Sequence, residues 1–96
     1  MPEKRGRIAG PNDAHRVTFY GLSTCVWCKR TRRLLEDLDV AFEFVYVDLL
    51  ESEEKQAVKA EMAKHNPRES FPTLVIDGER SIVGFKPDEI RRALER

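Results

Sequence analysis

Cys25 and Cys28 are the residues whose type and spacing most directly imply chemistry in this chain. They are the only two cysteines of the sequence, and with Val26 and Trp27 between them they form a Cys-x-x-Cys motif. Two cysteines at this spacing either form a reversible disulfide or contribute to a metal site. The elements that position the pair decide between these two kinds of chemistry.

The motif lies where a predicted strand gives way to a predicted helix. Residues 17–20 form a β-prone run that ends at Gly21, and residues 27–38 place apolar side chains at helical spacing. Thr24 is the residue predicted to cap this helix. Because a helix N-terminus presents unbonded N–H groups and a partial positive charge, it stabilises a sulfur there as a thiolate.

Cys25, at the open end of the helix, is therefore the predicted attacking thiolate, and Cys28, one turn inside, the predicted resolving thiol. In Cys-x-x-Cys sites the pKa of a cysteine falls from about 8.5 to roughly 3.5–7.5. Lys29 and Arg30 follow directly and are candidates for stabilising this thiolate or attracting an acidic partner; the alternative is a solvated basic face. Trp27 either faces a partner beside Cys25 or begins the apolar face of the helix.

The rest of the chain predicts an α/β domain. Residues 42–48 alternate and are rich in β-branched and aromatic side chains, which predicts a second strand. A helix is predicted from Ser52 to about His65, a β-hairpin over residues 73–83, and a last helix from Pro87. The order β-α-β-α-β-β-α predicts a four-stranded mixed sheet flanked by helices.

The first 15 residues differ in composition from the remainder. They carry little apolar surface, and such a segment cannot offset the entropy of ordering by burial. Residues 1–15 are therefore predicted to be a flexible N-terminal extension and residues 16–96 to be the folded domain.

Composition narrows the classes of function. Among 96 residues, 17 Lys and Arg balance 17 Asp and Glu, so the neutral chain gives no general case for nucleic acid or an anionic membrane as partner. No apolar run approaches the roughly 20 residues of a membrane span, and the charged N-terminus lacks the apolar stretch of a secretory signal. We expect a cytoplasmic monomer, in a reducing compartment where a structural disulfide is unfavoured.

Three segments together resemble the glutaredoxin family. They are Ser23–Lys29 (STCVWCK), Phe71–Thr73 (FPT) and Val83–Asp88 (VGFKPD), and the resemblance covers about residues 16–96. It implies a thioredoxin-like fold and a dithiol oxidoreductase that acts on protein disulfides without a cofactor. The resemblance also makes ribonucleotide reductase a candidate substrate.

The same resemblance implies substrate-binding roles for Trp27, Phe71, Pro72, Gly84 and Asp88. Pro72 is expected to be cis and to stand beside the dithiol. The backbone of Phe71 is expected to pair with an extended substrate segment, as an added strand would.

Two sequence differences from glutathione-binding glutaredoxins bear on which molecule reduces the protein. Those proteins usually carry Pro-Tyr between the cysteines and Gly-Gly-x-Ser/Thr-Asp near the last helix. Here Phe85 replaces a glycine, and Pro87 lacks the backbone N–H expected to help hold the γ-glutamyl carboxylate of glutathione. The Gly-Phe-basic-Pro-Asp run resembles NrdH-redoxins instead, which implies weak glutathione binding and reduction by a thioredoxin-reductase-type enzyme.

Other chemistries remain as alternatives. A zinc site would need Cys25, Cys28, His15 and His65, but His15 lies in the extension and His65 stands outside an H-x₃₋₅-H pair, so no metal is expected. The resemblance leaves two more: a carrier that bridges an iron–sulfur cluster between two subunits with cysteine and glutathione, and a glutathione-dependent glutaredoxin.

Overall fold

The computed structural model describes residues 3–95, which form five strands and three α-helices. Among these residues, no helix has both the length and the apolar character needed to cross a bilayer. A short 3₁₀ turn, Val47–Leu49, follows the third strand. In chain order the elements are β1 (Arg5–Ile8), β2 (Val17–Gly21), α1 (Val26–Asp37), β3 (Phe42–Tyr46), α2 (Ser52–Ala63), β4 (Thr73–Ile76), β5 (Arg80–Val83) and α3 (Pro87–Leu94).

The strands form one mixed sheet in the order β1-β3-β2-β4-β5. β2 and β3 run parallel because α1 connects them, whereas the other neighbouring strands are antiparallel. The predicted hairpin is confirmed, with Thr73 opposite Val83 and Ile76 opposite Arg80. The predicted α/β class is therefore confirmed, and the strand number is corrected from four to five.

The hydrophobic core occupies both faces of the sheet. Successive residues of a strand point to opposite faces, so Phe19 packs beneath α1 and α3 while Tyr20 packs against α2. Val58 and Met62 are the buried residues of α2, as the sequence predicted. On the α1–α3 face the fully buried side chains include those of Phe19, Cys28, Leu35, Leu74, Ile82 and Ile90.

The N-terminal segment differs from the predicted flexible extension. Residues of β1 pair antiparallel with β3, with Arg5 opposite Val45 and Ile8 opposite Phe42, which adds the fifth strand. Ile8 also packs against the core. The sequence prediction weighed only the apolar side chains of this segment. It left out the backbone hydrogen bonds that an added strand makes with a sheet edge.

A second attachment follows β1 at Asn12. Its buried side-chain amide donates to the carbonyl oxygen of Leu94 at 2.7 Å, one of the carbonyls at the end of α3 that lack a partner within the helix. Its backbone N–H donates to the oxygen of Asp39 at 2.9 Å, and its carbonyl accepts from Ala41 at 2.9 Å. The segment is thus joined to two distant parts of the domain.

The Asn12 contacts give a direct test of this arrangement. We expect Asn12→Ala to lower the free energy of unfolding by about 1–3 kcal/mol, because the buried Leu94 carbonyl loses its donor. Urea denaturation measures the difference, with Pro11→Ala, at an exposed neighbouring position, as the control. Equal stability of the Asn12 variant and the parent protein would show that the segment is not attached in this way.

Candidate functional site

The turn after β2 places Cys25 at the N-terminus of α1. The chain reverses over residues 22–25, where the Cys25 N–H donates to the carbonyl of Leu22 at 3.2 Å. Cys25 has extended backbone angles and is itself the N-cap, since its Sγ accepts the N–H of Cys28 at 3.3 Å. The prediction of Thr24 as the cap is therefore wrong by one residue. A cysteine sulfur, although a weaker acceptor than a hydroxyl oxygen, occupies the capping position.

The two thiols lie in different surroundings. Cys25 is half-buried, whereas Cys28 has an exposed fraction of 0%. Both are free cysteines, and the Leu22 N–H donates to the Cys28 Sγ at 3.4 Å. Cys25 is therefore accessible to a partner molecule, whereas Cys28 is not.

Burial raises the pKa of the Cys28 thiol to about 12. The hydrogen bond from Leu22 acts in the opposite direction and lowers this pKa. The hydrogen bond to Cys25 and the negative charges of Cys25 and Asp48 raise it further. Cys28 is consequently held as a neutral thiol in the reduced protein at neutral pH.

Asp48 is a site residue that the sequence analysis missed. Its carboxylate lies just beyond β3 and accepts two hydrogen bonds from Ser23, from the backbone N–H at 2.9 Å and from the hydroxyl at 2.5 Å. These bonds attach the turn before Cys25 to the end of the neighbouring strand. The sequence does show an acidic residue after the strand at residues 42–48 and a serine in the turn before Cys25. It does not show that the two meet, because Ser23 and Asp48 are 25 positions apart.

Trp27 lies on the surface and not in the core. Val26 and Trp27 expose 57% and 53% of their surfaces, although large apolar side chains are usually buried. The Trp27 ring stacks on Phe85 with a centroid distance of 5.9 Å and an interplanar angle of 25°. The Arg30 guanidinium lies 5.0 Å from the Trp27 ring centroid, at cation–π distance. Of the two predicted positions for Trp27, the structure shows the exposed one.

A shallow groove of about 220 Å³ lies beside this aromatic pair. The Phe71–Pro72 peptide bond is cis, as expected. The Pro72 carbonyl accepts the N–H of Gly84 at 2.8 Å, and Gly84 has a φ of 86°, a left-handed conformation that favours glycine. The groove is lined by Trp27, Phe71, Pro72, Gly84 and Phe85. Four of the five predicted substrate-binding residues are therefore brought together.

Asp88 and Lys29 lie outside this groove. Asp88 is exposed in the first turn of α3, where its charge suits the positive end of the helix dipole. Lys29 is exposed in the first turn of α1. Roles for Asp88 in substrate binding and for Lys29 and Arg30 in thiolate stabilisation stay predictions.

The histidines required for the alternative zinc site lie away from the dithiol. His15 precedes β2, at the end opposite Cys25, and its Nδ1 lies 2.7 Å from the Asp77 carboxylate. His65 follows α2 on the other face of the sheet, and its carbonyl accepts the Ser81 hydroxyl. Among residues 3–95, no group of three or more potential metal-ligating side chains is found.

A match to a model of a known protein family identifies the family to which this fold and site belong. The Glutaredoxin family model matches residues 17–81, which contain both cysteines and the cis-proline turn. The chain belongs to the glutaredoxin family. Membership of this family, together with the half-exposed Cys25 and the buried Cys28, shows that the protein is a thiol–disulfide redox protein with a thioredoxin-like fold.

Several of the similar glutaredoxin-like proteins are of the NrdH type. The glutaredoxin-like protein NrdH of Escherichia coli K12 is 35% identical over 77 residues, which cover 80% of this chain and 86% of the relative. The solved structure of Escherichia coli NrdH-redoxin, a glutaredoxin-like protein with a thioredoxin-like activity profile, has 32% identity and a TM-score of 0.63 over 80% of this chain and 92% of that one.

A more similar structure extends through the N-terminal segment. The crystal structure of Methanosarcina acetivorans methanoredoxin is 50% identical, with a TM-score of 0.90 over 95% of this chain and 96% of that chain. The covered share is larger than for NrdH because the match continues beyond the common glutaredoxin core.

The raised pKa of Cys28 predicts how stability depends on pH. An unfolded cysteine loses its proton near pH 8.5, whereas folded Cys28 keeps it to about pH 12. Between these values the unfolded chain binds fewer protons, so the free energy of unfolding should fall by up to about 1.4 kcal/mol per pH unit. Below about pH 8 this contribution is fully present.

Urea denaturation of the reduced protein at pH 8, 9 and 10 measures this slope. Cys28→Ala is the matched variant, because all other titrating groups, including Tyr20 with its pKa raised by burial, remain in both proteins. We expect a shallower decline for the variant. Parallel curves would mean that Cys28 is not a protonated buried thiol.

Proposed function

We propose that the protein reduces disulfide bonds of other proteins through Cys25 and Cys28, and that a thioredoxin-reductase-type enzyme, not glutathione, returns it to the dithiol form. The observation that carries the proposal is the asymmetric pair, with a half-exposed sulfur at the N-cap and a fully buried sulfur one turn inside. The aromatic stack of Trp27 and Phe85 supports the choice of reductant.

The reaction transfers two electrons in two exchanges. The Cys25 thiolate attacks one sulfur of the substrate disulfide, a mixed disulfide forms, and the second substrate sulfur leaves as a thiolate. Cys28 then loses its proton and attacks the Cys25 Sγ. The Cys25–Cys28 disulfide forms, the first substrate sulfur departs as a thiolate, and solvent protonates it. The substrate is reduced and the protein is oxidised.

The environment of Cys28 sets the order of these exchanges. In the free dithiol, the hydrogen bond to Cys25 and the charge of Cys25 help to keep Cys28 protonated. Once Cys25 is part of a mixed disulfide it carries no charge, so both contributions are lost. The Leu22 N–H, which donates to the Cys28 Sγ, still favours the thiolate. Burial, the main cause of the raised pKa of Cys28, remains, but this pKa is lower than in the free dithiol, which favours attack by Cys28 once its target has formed.

The groove beside Trp27 supplies a place for the substrate chain. β4 begins at Thr73, so Phe71 precedes the residues that pair with β2. We infer that the Phe71 backbone pairs with an extended substrate segment whose side chains contact Trp27 and the Pro72 ring. Such a site recognises backbone and apolar surface, which suits protein substrates; ribonucleotide reductase remains the candidate that the family resemblance supplies.

Two residues disfavour glutathione as the reductant. The position of Phe85 usually holds glycine in glutathione-binding glutaredoxins. Here the Phe85 ring stacks on Trp27 instead. Pro87, the first residue of α3, offers no N–H to a γ-glutamyl carboxylate. The likeness to NrdH-redoxin of Escherichia coli, whose activity profile is thioredoxin-like, supports the same assignment.

Single cysteine variants test the assigned roles. We expect Cys28→Ser to accumulate a covalent mixed disulfide with a protein substrate, because no resolving sulfur remains, and Cys25→Ser to show no reduction and no adduct. Mass spectrometry of non-reduced samples and an insulin-reduction assay provide the two readouts. Equal residual turnover of both variants would remove the distinction between attacker and resolver.

The reductant is tested on the oxidised protein. We expect free-thiol counting to show rapid recovery of two thiols with NADPH and a thioredoxin reductase or with a ferredoxin-dependent reductase, and slow recovery with millimolar glutathione. Phe85→Gly, which removes the ring from Trp27, should accelerate the glutathione reaction. Rapid reduction of the parent protein by glutathione through a stable mixed disulfide would overturn this part of the proposal.

A further inference from the structure

A second groove, of about 460 Å³, lies between α1 and α3 and shares Phe85 with the groove at the cis-proline turn. Its apolar lining consists of Val26, Leu34, Phe85 and Pro87. Val26 directly follows the reactive cysteine and is the most exposed large apolar residue recorded among residues 3–95. The groove therefore begins at the residue after Cys25 and continues along α1.

The polar lining of this groove is strongly basic. Four cations, Lys29, Arg30, Arg33 and Arg91, face a single lining carboxylate, that of Asp37. Because the whole chain has a formal net charge of zero, the excess of positive charge is a local property of this surface. A groove with one sign of charge attracts and orients a partner of the opposite sign.

The lining carboxylate does not neutralise the groove. Asp37 lies 3.5 Å from Arg33, and Arg91 lies 3.8 Å from Glu95 at the end of α3. Within residues 3–95, neither Lys29 nor Arg30 has a carboxylate within 4.0 Å. Two cations near the start of α1 therefore remain available to a partner's carboxylates, while Arg33 and Arg91 are only loosely paired at the surface.

We propose that this groove binds an acidic segment with interspersed apolar residues, next to the disulfide of a protein substrate; this inference rests on the proposed function and names the kind of substrate. The apolar lining receives the segment's apolar side chains, and the cations pair with its carboxylates. Val26 and Arg33 are seven positions apart on α1, about 10 Å along the axis. Three extended residues span that distance, so the carboxylates lie within about four residues of the substrate cysteine.

Paired disulfide peptides test the proposal. One peptide carries Asp-Leu-Glu beside its disulfide and the other carries Asn-Leu-Gln, which has the same shape without charge. We expect the reduced protein to react with the acidic peptide roughly threefold to tenfold faster at low salt, as expected for a few surface charge pairs. The ratio should approach one near 1 M salt, where the screening length is about 3 Å.

Two double variants locate the effect. Arg33→Gln/Arg91→Gln removes two of the four groove cations and should clearly lower the ratio of the two rate constants, while Lys29 and Arg30 remain in place. Lys59→Gln/Lys64→Gln removes the same charge at exposed positions of α2 and the residue after it, on the opposite face of the sheet, and should leave the ratio as in the parent protein.

The outcomes separate this inference from the function on which it rests. Equal rates for both peptides in the parent protein, or an undiminished ratio in the groove variant, would overturn the acidic-segment site. Failure to reduce either peptide would instead contradict the disulfide-reductase function. Binding to phosphatidylserine vesicles that is lost in the groove variant, with no peptide preference, would reassign the cations to a membrane surface.

Discussion

The structure of this site depends on one hydrogen bond, from the Cys28 N–H to the Cys25 sulfur at the start of α1. The bond places a reactive atom where a helix usually carries a capping oxygen, and the exposed N-terminus of the helix then supports negative charge on that atom. The same turn of helix brings Cys28 into the core. Capping and the reactivity proposed for Cys25 are therefore two consequences of the same position, and the proposed direction of exchange depends on the difference in burial between the two sulfurs.

The remainder of the fold holds that position steady. The turn before Cys25 is attached to Asp48 beyond β3. Gly21 leaves space for the Phe19 ring beside Cys28, since an added Cβ would lie 2.7 Å from that ring. At the opposite end, β1 and Asn12 join the N-terminal segment to β3 and α3. The two cysteines thus lie at one end of the sheet. The pairing of β1 with β3 and the hydrogen bonds of Asn12 stabilise the edge of the sheet and its opposite end.

In the functions proposed above, partner choice depends on the surface around the cysteines more than on the cysteines themselves. Phe85, which stacks on Trp27, lines both a neutral groove at the cis-proline turn and a basic groove between α1 and α3. The cations at the start of α1 are unfavourable toward the helix dipole. Their placement is consistent with selection for partner binding at a small cost to helix stability.

The sequence alone determined the features that repeat over a few residues: the dithiol spacing, all three helices, the central strands, and the hairpin. It did not reveal β1, because its pairing with β3 supplies backbone hydrogen bonds that apolar patterning does not record. Nor did it reveal the Ser23–Asp48 bond or the Trp27–Phe85 stack, since these join residues far apart in the chain. Local periodicity predicts elements, whereas only tertiary packing decides which distant side chains meet and how deeply each sulfur is buried.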